Sequence, residues 1–87
     1  MNIDDFIKKI EEEYDDLSPG KLKPEIEFRK ALEWNSINAL IMISLIDTEY
    51  NVQITADELR KAVTVSDLFN TFKKKLIIFQ PLSILSY

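Results

Sequence analysis

Ser36 is the residue of this sequence best placed to do chemistry. It stands in Trp34-Asn35-Ser36-Ile37, where a polar, proline-broken segment gives way to the most apolar run of the chain, Ile37 to Ile46. A serine at the start of a helix meets backbone N–H groups with no intrahelical partner and the positive end of the helix dipole. Two uses follow. The hydroxyl can cap the helix by accepting from an N–H two or three residues on. Or it can stand exposed as the anchor of a phosphate ester, a group that such a position favours. The four residues by themselves leave both open.

Little else in the chain is equipped for chemistry. There is no histidine and no cysteine. Their absence removes the usual general base near neutral pH, the commonest metal ligand, disulfides and thiolate nucleophiles. Asp and Glu recur on what read as solvated helix faces, with no convergent pair. The sequence therefore predicts no catalytic residue, no metal ligand and no enzymatic activity. A formal net charge of −4 argues against nucleic acid, whose phosphates would repel the chain, and suits basic partner surfaces. No apolar run approaches the ~20 residues of a membrane span. Asp4 and Asp5 stand where a signal peptide would be basic. The expectation is a cytoplasmic monomer.

The elements that must position Ser36 read as helices. Asn2 is placed to cap a first helix, with Asp4 and Asp5 in its opening turn. Ile3, Phe6, Ile7, Ile10, Tyr14 and Leu17 recur at three- and four-residue steps, an apolar stripe that runs up to a stop at Ser18-Pro19-Gly20. From Lys21 to Asn35 the spacing loosens around Pro24. So many large apolar residues there, Leu22, Ile26, Phe28, Leu32 and Trp34, predict an ordered loop packed on the core, with room for a short helix between Glu25 and Glu33. A second long helix is predicted from Ser36 to Tyr50, closed by Asn51. Its inward stripe reads as Ala39, Met42, Ile43, Ile46 and Tyr50, with Ile37, Leu40, Ile41 and Leu45 off it. Thr55-Ala56-Asp57-Glu58 has capping-box spacing and starts a short helix through Ala62. Thr64-Val65-Ser66-Asp67 starts a last one, with Val65, Leu68, Phe69, Phe72 and Leu76 as its stripe. The prediction is an all-α bundle of three long helices plus one short helix, with a long loop between helices one and two. It divides into a helical domain over residues 1–76 and an apolar C-terminal tail over 77–87.

Taken in order from Ile3 to Phe72, these features resemble the acyl carrier protein family. Asn35-Ser36-Ile37 resembles the Asp-Ser-Leu prosthetic-group site. A long loop with Phe28 and Leu32 precedes it, and the helix it opens ends in Asp47-Thr48-Glu49-Tyr50. Asn51-Val52-Gln53-Ile54 follows, then Thr64-Val65 with Leu68 and Phe69, like the Thr-Val start of the family's last helix. The order and spacing of the set carry the likeness. Asn35 stands where the family has aspartate, and Asn38 and Ile41 where fatty-acid carriers often have acidic residues.

The resemblance implies that Ser36 carries 4′-phosphopantetheine through a phosphodiester. A phosphopantetheinyl transferase would donate it from coenzyme A. The arm would hold acyl intermediates as thioesters for acyl-transfer or synthase enzymes of fatty-acid, polyketide or related synthesis. Partner contact is expected along the second helix, at Ile37, Leu40, Ile41, Asp47 and Glu49. The competing expectation is an unmodified helical interaction module in which Ser36 is only a helix cap.

Overall fold

The computed structural model describes residues 2–85, with side chains described to residue 76. Its elements are α1 (Ile3–Glu13), α2 (Phe28–Ala31), α3 (Ser36–Tyr50), α4 (Ala56–Lys61) and α5 (Val65–Leu85). The fold is all-α, as the periodicity predicts. α1, α3 and α5 are the long helices and α4 the short one, while α2 is a further single turn inside the long loop.

Local chemistry sets most helix ends. The Asn2 side chain accepts from the Asp5 N–H at 2.9 Å, with Asp4 and Asp5 in the first turn of α1. The capping box of α4 closes both ways, Thr55 Oγ1 accepting from Glu58 N at 3.0 Å and Glu58 Oε1 from Thr55 N at 2.9 Å. At the start of α5, Thr64 Oγ1 accepts from Asp67 N while Asp67 Oδ2 accepts from Thr64 N and Val63 N. Asn51 ends α3 in the left-handed conformation, φ 55°, which Asn tolerates better than most residues.

α1 is shorter than its apolar stripe. It ends at Glu13, with Tyr14 extended at the C-cap, so Tyr14 and Leu17 reach the core from a turn and not from a helix. Two polar contacts draw the chain out of the helix. The Tyr14 hydroxyl donates to the Asn38 carbonyl at 2.7 Å, and the Gly20 N–H donates to the Glu11 carboxylate at 2.8 Å. The loop that follows is packed, as expected: Leu22, Phe28 and Leu32 are buried. It is also pinned to the start of α5 by Val65 N–H to Ile26 O at 3.0 Å and Ser66 N–H to Pro24 O at 2.9 Å.

The core is one cluster in which α1, α3 and α5 meet. Phe6, Ile46 and Phe72 are fully buried and Phe69 nearly so. Phe6 packs edge-on against Phe72 at 5.0 Å between ring centroids and lies 5.9 Å from Phe69. The inward face of α3 is Met42, Leu45 and Ile46, which corrects the placement of Leu45 off the stripe. Ala39, Ile41, Ile43 and Tyr50 pack around its edges. α3 is apolar nearly all round, and periodicity within such a helix cannot say which flank its neighbours cover. α5 continues past residue 76 to Leu85. The packing of the apolar tail over residues 77–87 lies outside the described side chains.

Candidate functional site

The first turn of α3 is where Ser36 is presented. Asn35, extended at φ −153°, caps the helix: its side chain accepts from the Asn38 N–H at 2.8 Å. Asn caps as well as Ser does. With Asn35 at the cap, Ser36 is already helical and its side chain is not placed to reach the donors of the second and third residues. The cap role considered for Ser36 therefore belongs to Asn35. Ser36 is exposed, and among the described residues its hydroxyl has no hydrogen-bond partner.

Three further contacts hold this end of α3 in place. The Asn38 carboxamide donates back to the Glu33 carbonyl. The Asn38 carbonyl receives the Tyr14 hydroxyl, whose pKa is pushed up by burial and, to a lesser degree, by the nearby Glu13 charge. Trp34 packs edge-on against buried Phe28, 5.2 Å between centroids. Arg29 then ties the loop to α4. Its guanidinium donates to the carbonyls of Leu59 and Ala62 at 2.5 Å and of Arg60 at 2.8 Å, while lying over the Phe28 and Trp34 rings. A cation on the free carbonyls of a helix C-terminus completes both their hydrogen bonding and the dipole. Sequence reading missed this role because the partners are about thirty residues apart. A lone arginine in a loop signals nothing of the kind.

Beside Ser36 a groove of about 360 Å³ opens between α3 and α4. Trp34, Ala39, Leu40, Ile43, Ala56 and Leu59 make it mostly apolar, and Arg29 and Arg60 stand along it. Arg60 also pairs with Asp57 at 2.9 Å, as does Lys61 at 3.2 Å. These two cations, through their hydrogen bonds, hold the Asp57 carboxyl below the usual carboxylate range. On the far side of α4, Lys75 donates to Glu58 Oε1 at 2.5 Å and to the Gln53 carbonyl at 2.8 Å, binding α4 to α5.

The residues predicted as a contact surface do not all share one face. Ile37 and Leu40 are 69% and 65% exposed and follow Ser36 directly. Ile41 is half-buried against the core. Asp47 is exposed at the far end of the helix. Glu49 sits 3.7 Å from Lys9 of α1, on the flank turned toward that helix. Among the described residues no group of acidic side chains is arranged to hold a metal ion, and no helix is long and apolar enough to cross a membrane.

With this geometry in view, the likeness to known proteins can be placed. The chain is similar to a protein named acyl carrier protein from Thermosynechococcus vestitus, 27% identical over 79 residues. The match takes in 87% of this chain and 98% of that relative. No protein-family model matches the chain. A distant similarity running nearly the full length of that relative, on an all-helical bundle with a short fourth helix, supports an acyl-carrier relationship.

Proposed function

We propose that the protein is an acyl carrier whose Ser36 hydroxyl anchors a 4′-phosphopantetheine arm and presents acyl groups to partner enzymes of fatty-acid, polyketide or related synthesis. The observation that carries this reading is the division of labour at the start of α3. Asn35 does the capping, so the exposed Ser36 hydroxyl is spared for attachment. In that attachment the Ser36 oxygen would bond to the pantetheine-side phosphorus of coenzyme A. The phosphoanhydride bond breaks, adenosine 3′,5′-bisphosphate leaves, and the serine proton passes to the transferase, which also holds the magnesium. The arm supplies the thiol for thioesters that a chain without cysteine lacks.

The chain's own residues suit that group. Trp34, the cap at Asn35 and the Asn38 side chain on the Glu33 carbonyl hold the anchor at a fixed edge of the bundle. The uncapped N–H groups of the first turn favour an anion. The groove lined by Ala39, Leu40, Ile43 and Leu59 offers an apolar bed for an acyl chain. Ile37 and Leu40 form the centre of the partner surface, Ile41 its inner edge and Asp47 its far end. Glu49 joins only by releasing Lys9. We place the carrier in the cytoplasm as a monomer, with residues 1–76 as the working domain and 77–87 as an appended tail.

The test is intact mass after incubation with coenzyme A and a broad-specificity phosphopantetheinyl transferase. One phosphopantetheine is expected per chain, and none on Ser36→Ala, whose helical content should match the parent because the cap lies at Asn35. A chain left unmodified by several different transferases would overturn the reading in favour of an unmodified interaction module.

A further inference from the structure

The chain carries a net charge of −4, yet little of that charge stands at Ser36, where exposed Glu33 lies three residues before it in the sequence. Glu11, Glu12, Glu13, Asp15 and Asp16 crowd the end of α1 and the turn after it. From Ser36 to Ile46 there is no charged residue at all. The groove beside Ser36 is lined by Arg29 and Arg60 and by no carboxylate. The arginine charges there are only partly answered. Arg60 shares the single carboxylate of Asp57 with Lys61. Arg29 is satisfied by backbone carbonyls, which complete its hydrogen bonds without cancelling its charge, and among the described residues it forms no ion pair.

We propose that the partner surface docking over Ser36 is an apolar socket rimmed by carboxylates, taking Ile37 and Leu40 into the socket and Arg60 and Arg29 against the rim. The inference rests on the carrier reading above and names the partner's chemistry, which that reading leaves open. Ile37 and Leu40 lie one helical turn apart on the outer side of α3, both about two-thirds exposed. Large side chains held that far into water are what a partner gains by burying. The cations beside them decide the sign of the rim. A basic partner attracted by the net charge would meet two guanidinium groups at the anchor and lose at short range what it gained at long range. An acidic rim gains at contact. A second copy of this chain is a poorer occupant, since its matching face would bring arginines against arginines.

The test uses the full unmodified chain, isotope-labelled for backbone amide spectra, and two amphipathic helical peptides as probes. They share one leucine stripe, flanked in one by glutamates and in the other by lysines. The Glu-flanked peptide should shift the amides of Ile37, Leu40 and Arg60 and bind more weakly as salt is raised. Leu40→Glu should weaken it by about tenfold or more, and Arg60→Glu should weaken it while improving the Lys-flanked peptide. Arg60→Glu leaves the Arg29 anchorage intact, because Arg29 holds the Arg60 carbonyl and not its side chain. Circular dichroism of that variant serves as the control.

The proposal is overturned if the Lys-flanked peptide binds at these residues as tightly as the Glu-flanked one, or if the Glu-flanked peptide leaves Ile37 and Leu40 unmoved. Concentration-dependent self-association through Ile37 and Leu40 without peptide would overturn it too, in favour of a second copy. None of these outcomes depends on Ser36 being loaded. Loading is read separately by intact mass, so this inference and the carrier reading can fail independently.

Discussion

The two ends of α3 are built from the same residue types and held by different forces. At the C-terminal end, Met42, Leu45 and Ile46 disappear into the cluster shared with Phe6, Phe69 and Phe72. At the N-terminal end, Ile37 and Leu40 stand in solvent, and the backbone is fixed by Asn35, by Asn38 on Glu33 and by Tyr14 on Asn38. Burial is strong but non-directional, and it consumes the side chains it uses. Hydrogen bonds to the backbone are individually modest, but they locate a helix end to a fraction of an ångström and leave neighbouring side chains free. A helix that must be anchored and must also expose apolar contact residues is served by one method at each end.

The comparison breaks first, and most severely, at the buried end. Ile46→Ala removes a fully buried side chain and should cost about 2–5 kcal/mol in urea denaturation, a large part of a small domain's stability. The surface change Leu40→Ser should stay within about 0.5 kcal/mol. Equal losses at the two positions would mean that α3 is not divided as described.

Ile41 sits at the boundary and can move it. It is half-buried against the core although it directly follows Leu40 and lies four residues after Ile37. Ile41→Glu should cost about 1–3 kcal/mol, because a carboxylate there loses water without gaining a partner. A melting curve indistinguishable from the parent would transfer Ile41 to the open face and enlarge the partner surface by one residue.

How much of this was legible in the sequence follows the same division between local and distant causes. The bounds of α3 and the caps at Asn2, Asn51, Thr55-Glu58 and Thr64-Asp67 were readable because each cap and its target lie within a turn of one another. The early end of α1 was not. Tyr14 and Leu17 keep helical spacing, but the contacts that turn the chain there come from Asn38 and Gly20. Leu45 was misplaced because α3 is apolar all round, so its inward side is decided by where α1 and α5 lie. Ser36 was legible as the candidate anchor. That Asn35 would relieve it of capping was not, since both residues cap equally well. Arg29 carried no signal, as its three carbonyls belong to a helix far along the chain.

The smallest effects should come from two tyrosines, one serving each end of α3. The Tyr14 hydroxyl donates to the Asn38 carbonyl at 2.7 Å. The Tyr50 hydroxyl is shut away from solvent without a hydrogen-bond partner among the described residues, its ring packed on Phe6 and Phe72. Tyr14→Phe should therefore cost about 1 kcal/mol, the net worth of one hydrogen bond whose carbonyl is left behind. Tyr50→Phe should be neutral or slightly stabilising, since it deletes a polar group that was buried for no return.

Alkaline pH gives the pair a second reading. Burial pushes both hydroxyls above the ordinary tyrosine value, aided by Glu13 at Tyr14 and by Asp5 and Glu49 at Tyr50. A raised folded-state pKa means that above about pH 10 the unfolded chain gives up the proton first. The stabilisation from the neutral hydroxyl is then complete below that pH and is lost as pH climbs toward the folded-state value. Each Phe variant should accordingly fall off less steeply than the parent above pH 10, although only Tyr14→Phe begins from a lower stability at neutral pH. If Tyr50→Phe were the costlier variant at neutral pH, its hydroxyl would have a partner, and the hydrogen-bonded fixing assigned to the open end of α3 would have to extend to the buried end as well.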